Sequence, residues 1–546
     1  MVKNSTAHGT QFTKQPLRPY GRSLRDFEPL SPAEKTLLDC CRQGEFAIIG
    51  EARPDKETEA NRVRADFVRF LALGGDERAP VHEHGVQLFG AWLTNVLQLT
   101  AARVPRRMAL WHCWIERIEA GQTSFELLSL SGTRLKGGLL GDRLHCEGSF
   151  FMNDGFHASG EVRLLGANIG GNLDCRAGLF ENPSGDALSC DGSVISGSII
   201  AAGCHAKGNV RLHAVTIGGD LDVRGGLLET PGRHALSGDG ANVSGSIYLS
   251  QGFRAVGQVR LVAAVSGGDV DLTNGRFEHS KDVALDCDRL HVRGRLFLSS
   301  LVALSGVDMS LAYVGTLCDD FVSWAGAKGR VVLDGFTYGR LAGIAPVDAG
   351  TRIDWLRLQV PTHLGEEFRP QPWEQVTIAL RAMGHPDEAR AVAVAKQDHL
   401  RRAGKMAAGA RMFHWAYGAL IGYGYMPWRL IRLMSLVWLF CGLVYWWAAN
   451  PGPLGPSSYL IAPAGKEANP RRPDYANFVP LFYSADVLLP VIDLGYKDEW
   501  QPVVTRDSKP LLAGQILRFI YWFEITFGWV AGLLLVAVVG NLVKKD

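Results

Sequence analysis

Carboxylates embedded in apolar stretches near the end of the chain are the residues whose placement most suggests chemistry. Ionisable side chains at membrane depth are costly, and they usually face the interior of a helix bundle or a water-filled path. Because such groups attract cations, we predict that these carboxylates and a neighbouring Gly-Tyr pair form an ion path. The candidate residues are Asp486, Asp493, Gly495, Tyr496 and Glu524. The alternative left open is an interfacial external loop, with Glu524 hydrogen-bonded near the interface.

Two series of charged residues recur at a fixed spacing through the middle of the chain. They are Arg163, Arg211 and Arg260, and Asp174, Asp222 and Asp271. On a stacked fold each series forms a column on the outer surface, and such columns could bind an anionic ligand or a carbohydrate. A catalytic site usually interrupts a repeat, whereas these residues follow it. We therefore favour an outer face whose opposite charges offset each other.

Residues that could bind a metal or carry redox chemistry form no recognised motif. The ten cysteines contain no CxxC pair, which disfavours a structural zinc site. The Gly-Gly-x-Leu-Asp pattern resembles a calcium-binding nonapeptide repeat but lacks the glycine at its fourth position. His82, Glu83 and His84 are possible metal ligands, although the sequence favours an ordinary loop there. We predict no catalytic residue, no cofactor and no bound metal.

The charged series belong to an internal repeat. Three aligned copies begin 48 and 49 residues apart, at Glu161, Asn209 and Gln258. The second halves of the copies also align, beginning at Ala187, Ala235 and Ala284, and a looser copy begins at Gly85. Each copy holds four short apolar segments with period-two alternation, which is typical of strands too short to be stable unless they stack on one another.

This repeat predicts a mainly β fold, a parallel β-helix over residues 81–345. With about 24 residues per coil it makes roughly eleven coils, and it is about 50 Å long at about 4.8 Å per strand. We expect two internal apolar columns and several buried thiols. The columns are Leu188, Leu236 and Leu285, and Ile199, Ile247 and Leu296; the thiols are Cys146, Cys175, Cys190 and Cys287.

Helical segments flank the predicted β-helix. Residues 1–80 are interpreted as a poorly ordered tail over residues 1–30, followed by a cap helix over Glu57–Leu73, whose apolar residues have helical spacing. Residues 346–410 are interpreted as a helical adaptor similar to a tetratricopeptide pair, interrupted at Gly384. Its expected packing residues are Trp373, Ile378, Leu380 and Ala389.

Residues 411–546 form a predicted membrane region with spans at 428–449 and 516–540. At 1.5 Å per residue, the first span is about 33 Å long, enough to cross the hydrocarbon layer. Positive residues flank both spans on their outer sides, which predicts two crossings with both termini in the cytoplasm. Between them, segment 478–496 is too short to cross and fits a re-entrant helix.

Several motifs together resemble a bacterial family of membrane-associated proteins with β-helix repeats. The motifs are VRLLGANIGGNLDC, ALSCDG, PWEQVTIALRAMGHPDEAR, GYGYMPWR, FYSADVLLPVIDLG and FGWVAGLLLVAVVG. Members are often labelled "membrane-associated oxidoreductase", so the resemblance implies that activity without assigning residues to it. The family resemblance also implies that the membrane is the inner membrane of a bacterium. The membrane region also resembles the pore module of two-helix cation channels, although only Gly495-Tyr496 matches the Thr-Val-Gly-Tyr-Gly filter of that family.

The sequence therefore predicts a membrane-anchored β-helix protein that binds a cytoplasmic protein or ligand, and whose membrane part is either an anchor or a gated, cation-permeable pore. Two helices cannot enclose a path, so a pore requires a homo-oligomer. The alternatives are a membrane-tethered scaffold without transport and the oxidoreductase that the resemblance implies. The near balance of 57 basic and 55 acidic residues argues against nucleic acid as a partner.

Overall fold

A parallel β-solenoid of about eleven turns forms most of the protein, as predicted. The computed structural model describes residues 23–279, 283–403, 407–449, 461–463, 478–506 and 509–543. The chain divides into two compact units. The solenoid unit comprises residues 1–364 and 371–385, and the helical unit comprises residues 365–370 and 386–546.

Each coil of the solenoid contains four very short strands, two in each of two parallel sheets. One coil, for example, has His145–Cys146 and Phe150–Phe151 in sheet A, followed by His157–Ala158 and Val162–Arg163 in sheet B. The prediction of four strands for every two coils was therefore wrong. A residue with left-handed backbone, such as Gly192 (φ 65°), follows the second strand of each sheet in a coil and turns the chain toward the other sheet.

The strands of the two sheets are as follows. Sheet A contains Ala47–Ile48, Val86–Phe89, Arg103–Val104, Met108–Trp111, Ser124–Phe125, Leu128–Ser129, His145–Cys146, Phe150–Phe151, Asn168–Ile169, Leu173–Asp174, Val194–Ile195, Ile199–Ile200, Thr216–Ile217, Leu221–Asp222, Asn242–Val243, Ile247–Tyr248, Val265–Ser266, Val270–Asp271, His291–Leu298, Tyr313–Asp319 and Thr337–Leu341. Sheet B contains Arg62–Arg64, Trp92–Thr94, Leu97–Gln98, Trp114–Ile115, Ile118–Glu119, Arg134–Leu135, Leu139–Leu140, His157–Ala158, Val162–Arg163, Leu179–Ser189, His205–Arg211, Leu227–Ser237, Arg254–Arg260, Arg276–Glu278, Leu285–Asp286, Ala303–Leu304, Val307–Asp308 and Val331–Val332.

The predicted internal columns are confirmed, and each alternates between two residue series. In sheet B the inward column runs through Val162, Leu188, Val210, Leu236, Val259 and Leu285. In sheet A it runs through Leu173, Ile199, Leu221, Ile247, Val270 and Leu296. All of these side chains are buried, as are the four predicted thiols. The 48-residue unit is thus a pair of coils that stack directly on one another.

The N-terminal end of the solenoid is closed by more structure than the sequence predicted. Helix α1 spans Pro32–Gln43, and helix α2 spans Ala65–Ala72. The predicted cap helix over Glu57–Leu73 is therefore shorter, because Arg62–Arg64 extends sheet B instead. The prediction of a tail to residue 30 was wrong for residues 23–30, where the short 3₁₀ helix Leu24–Phe27 buries two side chains. Residues 1–22 lie outside the described part.

At its C-terminal end the solenoid unit is helical. Helices α3 to α6 span Phe321–Ala325, Ala349–Leu356, Pro361–Leu364 and Gln371–Ala382. Helix α6 packs on strand Thr337–Leu341, where Gln375 donates to the carbonyl of Tyr338 at 2.6 Å. Trp373 and Leu380 are buried as predicted, but Ile378 is 63% exposed, which corrects its assignment as a packing residue.

The helical unit contains helices α7 to α12. They span Pro386–Ala403, Ala408–Ile421, Pro427–Ala449, Pro480–Leu488, Tyr496–Glu499 and Leu512–Val543. Short antiparallel pairs join Ile461–Pro463 to Trp500–Pro502 and Thr505–Arg506 to Lys509–Pro510, and a further pair in the solenoid unit joins Gly75–Asp76 to Ala79–Pro80. Helices α9 and α12 are long and apolar enough to cross a membrane and match the two predicted spans. The predicted flanking Lys544 and Lys545 lie outside the described residues.

Helix α10 is the short helix predicted between the spans, and it packs tightly against both. At Gly528 of α12, a Cβ atom would overlap the carbonyl oxygen of Leu488 in α10. At Gly442 of α9, a Cβ atom would overlap the side chain of Leu481. Trp438 of α9 donates its indole hydrogen to the carbonyl of Leu481 at 2.9 Å. The missing side chains at the two glycines therefore allow the close approach of the three helices.

Candidate functional site

The arginine column lies on sheet B, where Arg163, Arg211 and Arg260 occupy every second coil and Ser189 and Ser237 occupy the coils between them. Each arginine is bonded to aspartates of neighbouring coils. The pairs are Arg163 with Asp142 (2.9 and 2.6 Å), Arg211 with Asp186 (3.2 Å) and Asp191, and Arg260 with Asp239 (3.2 and 3.0 Å) and Asp286 (2.9 Å). The positive charge of this column is therefore offset within the solenoid.

The aspartate column lies on sheet A and is less exposed than the sequence predicted. Asp174 and Asp222 are only 2% and 8% exposed, because Arg176 and Arg224 lie over them and bind each carboxylate at 2.6 Å. Asp271 instead accepts the backbone N–H of Thr273 at 2.9 Å. The three arginines, Asp174 and Asp222 are thus compensated by residues outside the two series, and not by pairing of one series with the other. For Asp271, the described residues provide this backbone donor and no ion pair.

A third outward column, on sheet A, carries no lysine, arginine, aspartate or glutamate over nine consecutive coils, and sequence reasoning missed it; beyond His145 the same register continues through Ser124 to Arg103. Its members pair in continuous register over nine coils, a distance of about 38 Å. They are His145, Asn168, Val194, Thr216, Asn242, Val265, His291, Tyr313 and Thr337. We call this set the uncharged column. In the sequence, the members of this column are the residues that directly precede the inward residue in the first strand of each coil.

Side chains of the uncharged column are exposed or half-exposed along its whole length. Beside it runs a row of small residues, Gly170, Ser196, Gly218, Ser244 and Gly267, whose backbone N–H groups bond to successive coils. Near the C-terminal end, the ring of Tyr313 stacks on His291 with centroids 4.8 Å apart. Together these features form a flat strip in which polar and apolar groups mix without formal charge.

Glu524 of α12 lies inside the helical unit and joins three helices. Its side chain is fully buried, and Tyr445 of α9 donates its hydroxyl to Oε2 at 2.7 Å. Ser484 of α10 is hydrogen-bonded to Oε1, and the same hydroxyl lies 3.0 Å from the carbonyl oxygen of Trp438. The carboxyl group therefore binds partners of its own chain on both oxygens.

Asp486 of α10 organises the loop that follows its helix. The carboxylate is 1% exposed; Oδ1 accepts the N–H of Leu494 at 2.7 Å and Oδ2 accepts the N–H of Lys497 at 2.8 Å. These two bonds fix the chain between α10 and α11. Such a carboxylate has a structural role, because both of its oxygens hold backbone donors.

The remaining ion-path candidates lie in the same loop. Asp493 is 69% exposed, and its Oδ1 accepts the N–H of Gly495 at 3.1 Å. Gly495 has a left-handed backbone (φ 77°) and directly precedes α11, which begins at Tyr496. Tyr496 packs against the buried cluster of α9, α10 and α12. Among the five candidates, Asp493 is thus the carboxylate that remains open to solvent.

The buried thiols of the solenoid are poorly suited to nucleophilic or redox roles. Burial raises the pKa of the Cys113 thiol to about 12 and that of the Cys146 thiol to about 11. A thiolate is the reactive form of cysteine, and these values disfavour it near neutral pH. These cysteines serve as small apolar core residues.

No protein family, curated protein or solved structure matches this chain. The geometry of the solenoid surface and of the helical unit is therefore the basis of the functional proposal.

Proposed function

We propose that the protein is a membrane-anchored scaffold whose solenoid binds a partner protein along the uncharged column. The observation that carries the proposal is the column itself: nine aligned outward side chains without formal charge, next to columns whose charged side chains are mostly paired with other charged residues of the solenoid. The cores of protein interfaces are depleted of charged residues, whereas their rims are polar. The strip and its charged flanks match that arrangement.

The size of the strip also fits a protein partner. At about 38 Å long, it exceeds the reach of a small metabolite, which usually binds in a concave pocket. Tyr313 and His291 provide an aromatic pair at one end, and aromatic residues contribute much of the binding energy at interfaces. A flat, elongated surface of this kind suits a protein or an extended peptide segment.

Anchoring rests on the exposed apolar faces of α9 and α12. Trp446, Trp447, Phe519 and Leu533 are among their exposed side chains, and both helices are long enough to cross a bilayer. Burying such surfaces in lipid removes the cost of exposing them to water. We propose the inner membrane of a bacterium as the location, with the solenoid in the cytoplasm.

Site-specific photocross-linking in native membranes tests the scaffold. A photoreactive residue at Thr216, in the uncharged column, is expected to give one discrete adduct, identified by mass spectrometry. Val194→Lys, one coil away, places a charge in the strip and should abolish that adduct. Val256→Lys is the matched control, because Val256 is also half-exposed and lies on the outer side of sheet B between Glu229 and Glu278. This control should leave the adduct intact.

Two outcomes would overturn the scaffold. If no adduct forms from the strip, the strip is not a binding surface. If Val194→Lys and Val256→Lys lose the adduct equally, a charge placed in the strip is not the cause of the loss. Circular dichroism of each purified variant checks that the solenoid remains folded.

A second candidate is a cation pore built from several copies, favoured by the contacts of α10 with both α9 and α12 and by the exposed Asp493 in the loop that follows α10. Flux of cations from liposomes that contain the purified chain tests this function. Asp493→Asn should reduce flux, whereas Asp387→Asn, an exposed carboxylate of α7, should not. If the unchanged chain gives no flux above empty liposomes, the pore is excluded and the anchor remains.

A further inference from the structure

A group of metal-ligand side chains lies beside the N-terminal end of the solenoid. His82, Glu83 and His84 each offer one ligand atom, and these three atoms lie within 4.8 Å of one another. The backbone around them is held on both sides. The N–H of His82 donates to the carbonyl of Cys41 at 2.8 Å, and the N–H of Gly85 donates to the carbonyl of His82 at 2.9 Å.

The hydrogen bond of His84 determines which ring nitrogen is available. Its Nδ1 lies 2.9 Å from the carbonyl oxygen of Gly44, at the end of α1. A carbonyl oxygen only accepts hydrogen bonds, so Nδ1 carries the hydrogen and the neutral ring has its lone pair on Nε2. Histidines that bind metals commonly donate their other ring N–H to a backbone carbonyl or carboxylate in this way. His84 is therefore fixed in a tautomer that can bind a metal.

The ring of His82 is positioned by a close approach to the same turn. A Cβ atom at Gly44 would overlap this ring, and the left-handed backbone of Gly44 (φ 77°) also favours glycine there. The two histidine rings meet edge to face, with centroids 4.6 Å apart. His82 Nδ1 accepts the N–H of His84 at 3.2 Å, so a metal ion bound at this nitrogen would replace that hydrogen bond.

We propose that His82, Glu83 and His84 form a binding site for a zinc-type divalent metal ion. Two imidazoles and one carboxylate are ligands that zinc prefers, and three protein ligands leave a coordination position for water. Tetrahedral coordination at the usual zinc distances separates ligand atoms by about 3.3 Å. The side chains of Glu83 and His84 are exposed, so rotation of their torsion angles can close the difference from 4.8 Å. The site is independent of the proposed scaffold function.

Zinc titration of the full chain in detergent, in competition with a chromophoric chelator, tests the site. We expect one zinc ion per chain at neutral pH. His84→Ala should weaken binding by at least about tenfold, since loss of even an outer-shell partner typically costs that much. His234→Ala is the matched control, because His234 is an exposed histidine of sheet B outside the group. It should retain the affinity of the unchanged chain.

Failure of the unchanged chain to bind zinc would overturn the proposal. Equal affinity of His84→Ala and the unchanged chain would also overturn it. His84 is exposed, so its truncation should leave the fold intact, and circular dichroism of the variant confirms that the comparison is valid.

Discussion

Arg352 and Asp319 form a buried, bidentate ion pair at the C-terminal end of the solenoid. The guanidinium donates to both carboxylate oxygens, at 2.9 and 2.8 Å, and both side chains are 1% exposed. Trp324 donates its indole hydrogen to the same carboxylate at 3.0 Å, and Arg352 also donates to the carbonyl of Pro346 at 2.7 Å. The pair thus fastens α4 to the strand Tyr313–Asp319.

Removing one partner of this pair should destabilise the end of the solenoid strongly. Arg352→Met leaves a buried carboxylate without its counter-charge, which typically costs about 3–5 kcal/mol. Replacing both residues, as Asp319→Leu with Arg352→Met, should cost less than either single change. Hydrogen–deuterium exchange of peptides spanning 313–341, measured along a urea series, reports the local stability. If the double variant is less stable than Arg352→Met, the ion pair stabilises this end of the solenoid by more than the mutual compensation of two buried charges.

Glu34 should make the N-terminal end of the solenoid unit sensitive to acid. Burial alone would raise the pKa of Glu34, but hydrogen bonds from the Arg64 side chain and from the N–H groups of Arg64 and Ser31 together lower it below its ordinary 4.5. The stabilisation is therefore complete above the ordinary pKa and is lost as pH falls through the lowered folded value.

The variant Glu34→Gln tests this acid sensitivity. At neutral pH it should cost about 2 kcal/mol, because a hydrogen-bonded charged acceptor is lost. It should also flatten the dependence of the local unfolding free energy on pH between neutrality and about pH 3. Pulsed hydrogen exchange of peptides from α1 along urea series gives this free energy at each pH. An unchanged pH profile in the variant would assign the acid sensitivity to other carboxylates.

Inward and outward columns of the solenoid should respond differently to truncation. Leu236→Ala removes buried volume from the sheet B column and should cost about 2–5 kcal/mol. Arg163→Ala removes a partly exposed ion pair with Asp142 and should change the free energy of unfolding by no more than about 1 kcal/mol. Urea midpoints of the solenoid, followed by circular dichroism, check both values. A larger effect at Arg163 would mean that the outer pairs contribute substantially to the stacking of coils.

Glu524 and Tyr445 should be energetically coupled through their hydrogen bond. Glu524→Leu leaves the Tyr445 hydroxyl without its acceptor, whereas Glu524→Gln retains one. Combining Glu524→Leu with Tyr445→Phe should therefore cost less than the two separate losses together, with a coupling of about 0.5–3 kcal/mol. The coupling is measured by unfolding the unchanged chain, Glu524→Leu, Tyr445→Phe and the double variant in one detergent. Additive losses would indicate that the hydroxyl binds elsewhere once the carboxyl group is absent.

The solenoid was predictable because its residues repeat, and each aligned position has one environment in all copies. Leu188, Leu236 and Leu285 could be placed in the core from alternation alone, and α9 and α12 from length and hydropathy. The number of strands per coil was missed because strands of two residues leave almost no periodicity to detect. The burial of Asp174 was missed because it depends on how Arg176 folds back over the strand.

The helical unit shows why the sites were harder to predict than the fold. Composition indicated that Glu524 and Asp486 are special, but their partners, Tyr445 and the N–H of Leu494, are set by tertiary packing. The oxidoreductase activity implied by the resemblance remains a prediction. The ring nitrogen of His84 that can bind a metal is determined by a hydrogen bond from its other nitrogen to the carbonyl of Gly44. Because Gly44 is distant in sequence, this contact could not be predicted.

The alternation of residues in the aspartate column limits how such a chain can grow in evolution. Asp174, Asp222 and Asp271 are separated by Ile200 and Tyr248, so successive carboxylates lie about 10 Å apart, beyond the distance at which physiological salt screens their repulsion. Duplicating a single coil that carries one of these aspartates would set two acids side by side at about 5 Å. Duplicating a pair preserves the spacing, so relatives of different length should differ by whole pairs of coils.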